Sequence, residues 1–437
     1  MFNAVIVSVF VLVVLSLLRV NVVLSLLVAA LAAGLITGMS LVDTTELLVS
    51  GMGGQAETAL SYILLGVFAV MIGYSGITGF LVNSLTTVLK GKKAFLLLTI
   101  AAVASFSQNL VPVHIAFIPV LIPPLLQLFD RMKLNRKGVA VSLTFGLKAP
   151  YMMIPAGFGL IFHGIIVEEM NTNGMAIESS DIPTAMFIPV LGMVVGLLFA
   201  IFVSYRKDKE PKANHNINQE VAAETETDNN LSFTLLHFFT IIAIIGAFIV
   251  QIITDSLILG ALSGIALMLA LRVVPFTSAD EMVNDGIKMM GMIGFVMLIA
   301  SGYAKVLKET GAVDRLVAST TEMLGDNMYM AALLMLLVGL IITTGIGTSF
   351  GTIPILATLF VPLCITMGFS PLATAALIGT AGAIGDAGSP ASDSTLGPTA
   401  GLNADGNHHH IWDTCVPTFL HFNIPLFIFG LAAAMIL

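Results

Sequence analysis

Two carboxylates, Asp386 and Asp393, stand in an otherwise uncharged stretch from Leu372 to Leu402, within the run Gly382-Ala-Ile-Gly385-Asp386-Ala-Gly388-Ser389-Pro390-Ala-Ser392-Asp393-Ser394-Thr395. An ionised group at membrane depth is expensive, so such groups face a pathway and find a partner. Gly385, Gly388 and Pro390 beside Asp386 favour unwound backbone. There the carboxylates, the Ser389 hydroxyl and freed carbonyls can surround a small hard cation, which selects oxygen ligands. The chemistry expected is reversible binding of Na+ or H+, with Asp386 as first candidate ligand and Asp393 as second. Two plainer readings stand beside it: a structural ion pair for Asp386, and a helix-capping role at an interface for Asp393.

A matching segment lies 235 positions earlier, Gly146-Leu-Lys148-Ala-Pro150-Tyr151-Met-Met-Ile-Pro155-Ala156, where Lys148 is the lone charge. Pro119 and Pro354, Gly51 and Gly286, and Glu46 and Glu281 keep the same spacing of 235. Two more polar stretches correspond: Ser105-Phe-Ser107-Gln108-Asn109-Leu-Val-Pro112-Val-His114, and Thr343-Thr344-Gly345-Ile-Gly347-Thr348-Ser349-Phe-Gly351-Thr352-Ile-Pro354. Both are too rich in Gly, Pro and hydroxyls for an unbroken helix facing lipid, and backbone freed at that depth must line a cavity or be buried. They read as re-entrant hairpins. Thr348 and Ser349 are candidate cation ligands; Gln108, Asn109, His114, Lys148 and Thr352 are candidate substrate contacts. Any one of these hydroxyls alone would be explained by close helix packing, and His114 alone by a satisfied buried histidine. His408, His409 and His410 lack further ligands at metal-binding spacing and read as a loop feature, and Asp413 as a helix cap.

The elements that must position these groups follow from composition. The chain of 437 residues is 57% hydrophobic and 10% charged, against roughly 45–50% and about 25% in a soluble protein. Its mean hydropathy is +1.00. Apolar stretches of spanning length recur at Phe2–Leu18, Val20–Met39, Ser61–Leu81, Phe95–Val113, Phe187–Val203 and Leu235–Ile253. The expected fold is an all-α polytopic membrane protein of about 10–14 membrane segments, with the lipid bilayer as its solvent. Many of the charged residues lie in one polar segment, 206–230, which carries only −2 of the net −8; no basic patch points to nucleic acid, and neither a nucleotide-binding loop nor a hydrolase or metalloprotease motif occurs. No enzyme, resident metal or cofactor is expected. Cys364 and Cys415 sit in apolar surroundings and do not read as a disulfide.

The chain divides into repeat 1 (1–205), a hydrophilic linker (206–230) and repeat 2 (231–437). An interfacial stretch is expected over Val42–Gly54, and in repeat 2 a shortened connection after Gly286 with an insertion around Lys305–Arg315. Repeat 1 has basic loops at Lys90, Lys92 and Lys93 and at Arg131, Lys133, Arg136 and Lys137, whereas their counterparts around Gly325–Met328 and Thr366–Leu372 have no Lys or Arg. Cytoplasmic loops accumulate those residues, so the copies insert with opposite orientation, each with a re-entrant hairpin and a broken helix. Broken helices in inverted repeats put substrate and ion sites near the bilayer midplane, where Lys148 and Asp386 can approach each other.

The segment Gly385-Asp386-Ala-Gly388-Ser389-Pro390-Ala-Ser392-Asp393, with Ser394-Thr395 after it, and the hairpin Gly347-Thr348-Ser349-Phe-Gly351-Thr352 resemble those of the NhaC-type Na+/H+ antiporter family of the ion-transporter superfamily. The branch resembled is that of predicted amino-acid, particularly histidine, transporters, and the likeness covers nearly the whole chain. The resemblance implies homodimers built on a scaffold domain, an elevator-like movement, and a place in the bacterial cell (inner) membrane. Two functions compete: cation-coupled (Na+ or H+) uptake of a small amino acid, and Na+/H+ exchange without an organic substrate. The first accounts for Lys148, Gln108, Asn109 and His114, which bare exchange does not require.

Overall fold

The computed structural model describes residues 3–18, 20–77, 80, 93–109, 118, 122, 125–126, 128–207, 233–254, 256–324, 327–390 and 392–437. Among the described residues all regular structure is helical. The first half contains α1 (Ala4–Leu17), α2 (Val22–Ile36), α3 (Leu41–Met52), α4 (Ala56–Tyr74), α5 (Lys93–Asn109), α6 (Arg136–Met153) and α7 (Phe158–Thr172), then α8 (Ser179–Ser204). The second contains α9 (Leu235–Thr254), α10 (Leu257–Ala270), α11 (Ala279–Glu309), α12 (Ala312–Leu324), α13 (Met328–Ile346), α14 (Ser349–Met367), α15 (Pro371–Ala383) and α16 (Asp393–Leu402), then α17 (His410–Ile436). Helices α8, α14 and α17 are each long and apolar enough to cross a membrane, and α6 with α7 makes a further span bent by 49°. Shorter apolar helices fall within α2, α4, α5, α9, α10, α13 and α15. This is an all-α polytopic membrane protein.

Helix starts follow the repeat spacing. Val22 and Leu257, Lys93 and Met328, Arg136 and Pro371, and Phe158 and Asp393 open α2 and α10, α5 and α13, α6 and α15, and α7 and α16, each pair 235 residues apart. The contacts obey the same exchange. A Cβ on Gly51 of α3 would lie 2.9 Å from the Gly302 Cα of α11, and a Cβ on Gly286 of α11 would lie 2.4 Å from the Val67 Cα of α4. Gly286 and Val67 are the counterparts of Gly51 and Gly302 at that spacing. One contact is therefore the image of the other under a two-fold exchange of halves, with small residues letting backbones approach.

The same pairing corrects one expectation. The spacing of 235 holds on both sides of Gly286 and again at Met328, so no shortened connection or insertion near Lys305–Arg315 separates the copies; α11 and α12 occupy that region. The stretch Val42–Gly54 forms most of α3, which turns through Gly53–Gln55 directly into α4, whereas the corresponding α11 runs unbroken for 31 residues.

The site-bearing helices are central. Residues Gly138–Met152 of α6 are buried except for Phe145, and α15 is buried from Ala373 to Ala383. A helix apolar or small all round belongs inside the protein. Outside them, α8 exposes Phe187, Leu191, Val195 and Phe202 along one face, and α9 exposes Leu235, Phe238, Ile242, Ile245 and Ile249, as hydrocarbon contact requires. A second cluster, with Phe68, Ile72, Ala243, Ala247 and Met268, joins α4 to α9 and α10. Residues 208–232, holding nearly all of the expected linker, lie outside the described residues, as do Lys90, Lys92, and Pro112, Pro119, Pro123 and Pro124 of the first hairpin.

A polar clamp fixes one end of α6. The Arg136 guanidinium donates to Asp405 at 2.8 and 2.6 Å, to both Asp130 oxygens at 3.0 Å and to the Leu402 carbonyl at 3.2 Å. Partial burial alone would raise the Asp405 pKa, but the Arg136 hydrogen bond and charge outweigh it and hold the carboxyl below its usual range. A lowered folded pKa means stability that is present above the unfolded value, about 3.9, and lost as pH falls through the folded one. Asp405→Asn is accordingly expected to lower the apparent unfolding temperature at pH 7 and to flatten its fall below about pH 4, read by scanning fluorimetry in detergent. At the two-fold crossing, Gly286→Leu should cost about 1–3 kcal/mol or more by overpacking, whereas Gly53→Ala, where a Cβ meets nothing within 4 Å, should leave the unfolding temperature unchanged.

Candidate functional site

The chain breaks where its positive-φ glycines fall. Helix α6 stops at Met153 and α7 starts at Phe158, with Gly157 at φ 55 between them. Helix α15 stops at Ala383 and α16 starts at Asp393, with Gly385 at φ 85 and Gly388 at φ 128. A side chain at Gly388 would also meet the Phe419 backbone, with Cβ 2.7 Å from its Cα. Helix α13 turns into α14 through Gly347 at φ 77 and an extended Thr348, the helix–turn–helix expected of the second hairpin.

These breaks converge on Asp386, which is 1% exposed. Its Oδ2 takes an ion pair from Lys148 Nζ, the Ser349 backbone N–H at 2.8 Å and the Ser349 hydroxyl at 2.5 Å, while Oδ1 accepts from the Ser392 hydroxyl. Ser349 opens α14, whose N-cap Thr348 makes no side-chain capping bond, so Asp386 satisfies the orphan donor there and stands at the positive end of that helix. Ser392, which binds Oδ1, is itself the N-cap of α16. One carboxylate thus ties together α6, the start of α14 and the break before α16.

A closed hydrogen-bonded ring results. Lys148 Nζ donates to the Tyr151 hydroxyl at 3.4 Å as well as to Asp386, and Tyr151 lies 2.8 Å from the Ser349 hydroxyl. Since the Ser349 proton goes to Asp386, Tyr151 is the donor to Ser349. Ser392 and Ser394 hydroxyls lie 2.8 Å apart, and Ser394 reaches the Asp386 carbonyl at 3.4 Å. The arrangement can hold one positive and one negative charge in contact, surrounded by hydroxyls able to follow either charge.

The other sequence-selected residues fall around this centre. Lys148, Asp386 and Ser349 are brought into direct contact. Thr348 is half-buried at the hairpin turn, and its carbonyl accepts the Thr352 hydroxyl at 2.6 Å, so Thr352 is turned onto its own helix. Ser389 donates to the Thr344 carbonyl at 3.1 Å. Asp393 is half-buried in the first turn of α16 and has no side-chain partner among the described residues; the cap is Ser392, not Asp393. Gln108 and Asn109 end α5, and His114 lies outside the described residues.

The expectation of freely offered carbonyls around Asp386 is corrected. The Asp386 carbonyl accepts Gly388 N–H at 2.8 Å and the Ser389 carbonyl accepts the Thr395 hydroxyl at 2.5 Å, because unwound backbone buried in protein finds internal partners. Among the histidines, His408 bonds Thr414 at 2.7 Å, and His410 bonds Thr399 at 2.8 Å and the Pro390 carbonyl at 2.9 Å. Asp413 pairs with Lys137 at 3.2 Å and accepts the His409 N–H at 3.0 Å, reaching back from within the helix rather than standing before it. The ring members missed were Tyr151, Ser392 and Ser394. Tyr151 carried a signal: it is one turn beyond Lys148 and the repeat counterpart of Asp386.

Broken helices meeting in a polar, buried centre of a polytopic bundle define a membrane transporter. Residues 142–431 match the model of the Na+/H+ antiporter family, and residues 3–89 a second model described as the Na+-H+ antiporter family. The chain belongs to the Na+/H+ antiporter family. It is 52% identical over 446 residues to an uncharacterized membrane protein of Vibrio parahaemolyticus, with both chains covered in full. It is 46% identical over 450 residues to the "Putative amino acid transporter YuiF" of Bacillus subtilis, again with full coverage of both. Among solved structures it shares a fold with Neisseria gonorrhoeae MtrF (TM-score 0.64, 14% identity, 98% of this chain and 95% of that one). It also resembles the Alcanivorax borkumensis YdaH transporter (TM-score 0.59, 15% identity, 89% and 86%).

Removing one partner of a buried ion pair leaves an uncompensated charge and costs about 3–5 kcal/mol, whereas an apolar replacement of both is often neutral. Lys148→Met and Asp386→Leu singly should therefore each lower the apparent unfolding temperature strongly, and the double variant should recover most of the loss. Additive losses in that cycle would show that the pair is not the dominant partner of either residue.

Proposed function

We propose that this protein is a secondary active transporter that couples movement of Na+ or H+ to transport of a small amino acid, histidine being the first to test, across the bacterial inner membrane by alternating access. The observation that carries the reading is the buried Lys148–Asp386 pair at the junction of two broken helices. A zwitterion offers the same two charges: its carboxylate can replace Asp386 against Lys148 and the N-terminus of α14, and its ammonium can replace Lys148 against the carboxylate. Ser349, Ser392, Ser394 and Tyr151 supply hydroxyls for either group. The printed name of the Bacillus subtilis relative agrees with an amino-acid cargo.

The coupling cation is assigned to the carboxylate region. Asp386 binds it when Lys148 has turned to substrate, and Asp393, half-buried and without a partner among the described residues, is the second ligand, with Ser389, Thr348 and Ser349 as oxygen donors. Gln108, Asn109, His114 and Thr352 are assigned as candidate substrate contacts. The segment 206–230 and the loops at Lys90–Lys93 and Arg131–Lys137 are cytoplasmic, and the protein works as a homodimer. One reading competes: Na+/H+ exchange without organic cargo, in which a cation and a proton exchange on Asp386. The family name favours it.

Purified protein in liposomes separates the two. Labelled histidine and other small amino acids should accumulate under an imposed Na+ or proton gradient, and Asp386→Asn should abolish accumulation while the protein still folds. Cation-driven proton flux with no amino-acid uptake would instead establish bare exchange. Asp393→Asn is expected to weaken the cation dependence by roughly tenfold or more, as loss of a direct ligand should exceed the effect of a supporting one. Cysteines introduced into the three basic or hydrophilic loops should resist labelling from outside intact cells.

A further inference from the structure

A second acidic group lies away from the Lys148–Asp386 ring, toward the far end of α7. Glu168 and Glu169 are the eleventh and twelfth residues of that helix, about 16 Å along it from the break at 1.5 Å per residue. Gln55, in the short turn between α3 and α4, is fully buried, and its Nε2 donates to Glu169 Oε1 at 3.2 Å and to Glu168 Oε2 at 3.3 Å. The Gln55 Oε1 is buried too and has no hydrogen-bond partner. Glu57, in the first turn of α4, faces Glu168.

Nothing basic offsets these charges among the described residues. No Lys, Arg or His forms an ion pair with Glu168 or Glu169. The neighbouring cation, Lys308 on α11, donates its ammonium to the Thr172 carbonyl at 3.1 Å. A neutral amide cannot compensate two carboxylates, one of which, Glu169, is 8% exposed; a buried charge is retained only when paired or coordinated. One bound proton would leave a single negative charge and an amide oxygen lacking a donor. That donor set, carboxylate and amide oxygens alone, suits a hard cation.

We propose that Gln55, Glu168 and Glu169 form a second cation site, distinct from the Asp386 centre, which takes Na+ in exchange for a proton. Because Gln55 belongs to the α3–α4 turn and the glutamates to α7, an ion held there also fastens those two elements together. The site stands on its own oxygens and does not depend on what the Asp386 centre transports.

The test uses full-length purified protein in detergent and three readouts: equilibrium binding of labelled Na+, proton release on adding NaCl under weak buffering, and the rise in unfolding temperature in NaCl against choline chloride at equal ionic strength. Wild type and Asp386→Asn should both keep a saturable Na+ component accompanied by proton release. Glu169→Gln should lose that component, with affinity falling by roughly tenfold or more; Gln55→Met, which keeps the volume and removes the oxygen, carries the same expectation should Glu169→Gln fail to fold. Unchanged Na+ binding in both variants, equal stabilisation by choline, or a site that titrates with pH without responding to Na+ would each overturn the proposal. Loss of all Na+ binding in Asp386→Asn alone would likewise show that a single centre accounts for everything.

Discussion

The ion pair between Lys148 and Asp386 is the constraint around which the centre of the molecule is arranged. Lys148 has no other charge nearby in sequence and Asp386 has only Asp393, and each member of the pair would be untenable alone in a buried, largely apolar bundle. Satisfying them demands that α6 run beside the break between α15 and α16, and that α14 begin at that same point so that its first N–H groups meet the carboxylate. The helix interruptions follow from this. An unbroken α15–α16 would carry Asp386 on a regular helix and could not present both its oxygens to three separate elements.

The cost of those interruptions is met locally. Backbone freed at the α15–α16 break is satisfied in part by the Ser394 and Thr395 hydroxyls and by neighbouring amides. The observed state is therefore closed and internally saturated at Asp386. Under the proposed function, a cargo or coupling ion would have to displace a partner rather than fill a vacancy, which would make binding and rearrangement a single event. Asp393 differs: it opens α16 and makes no side-chain hydrogen bond among the described residues, although it lies within electrostatic reach of Lys148 and Asp386.

Family membership and this geometry answer different questions. Matches over residues 142–431 and 3–89 place the chain in the Na+/H+ antiporter family, and the structural likenesses at 14% and 15% identity speak to fold alone. Under the proposed function, cargo is selected by the side chains at the centre. A site pairing a cation and an anion in contact, lined with hydroxyls, complements a zwitterion more fully than it does a bare monovalent ion.

Much of this was legible in the sequence because the bilayer narrows the possibilities: apolar length means helix, and Gly, Pro and charge at depth mean a break with a purpose. The repeat spacing alone determined which segments correspond, and it anticipated that Lys148 and Asp386 would meet. It did not reveal that Val42–Gly54 bends into α4 while its counterpart runs straight through α11, since both sequences are compatible with helix. Nor could it pick Tyr151, Ser392 and Ser394 from many buried hydroxyls, or tell that Thr352 turns to its own helix while Ser349 turns to Asp386. Residue type and spacing specify which groups must be compensated. Which neighbour compensates them depends on distances of a few ångströms between segments far apart in the chain, and those exist only once the helices have packed.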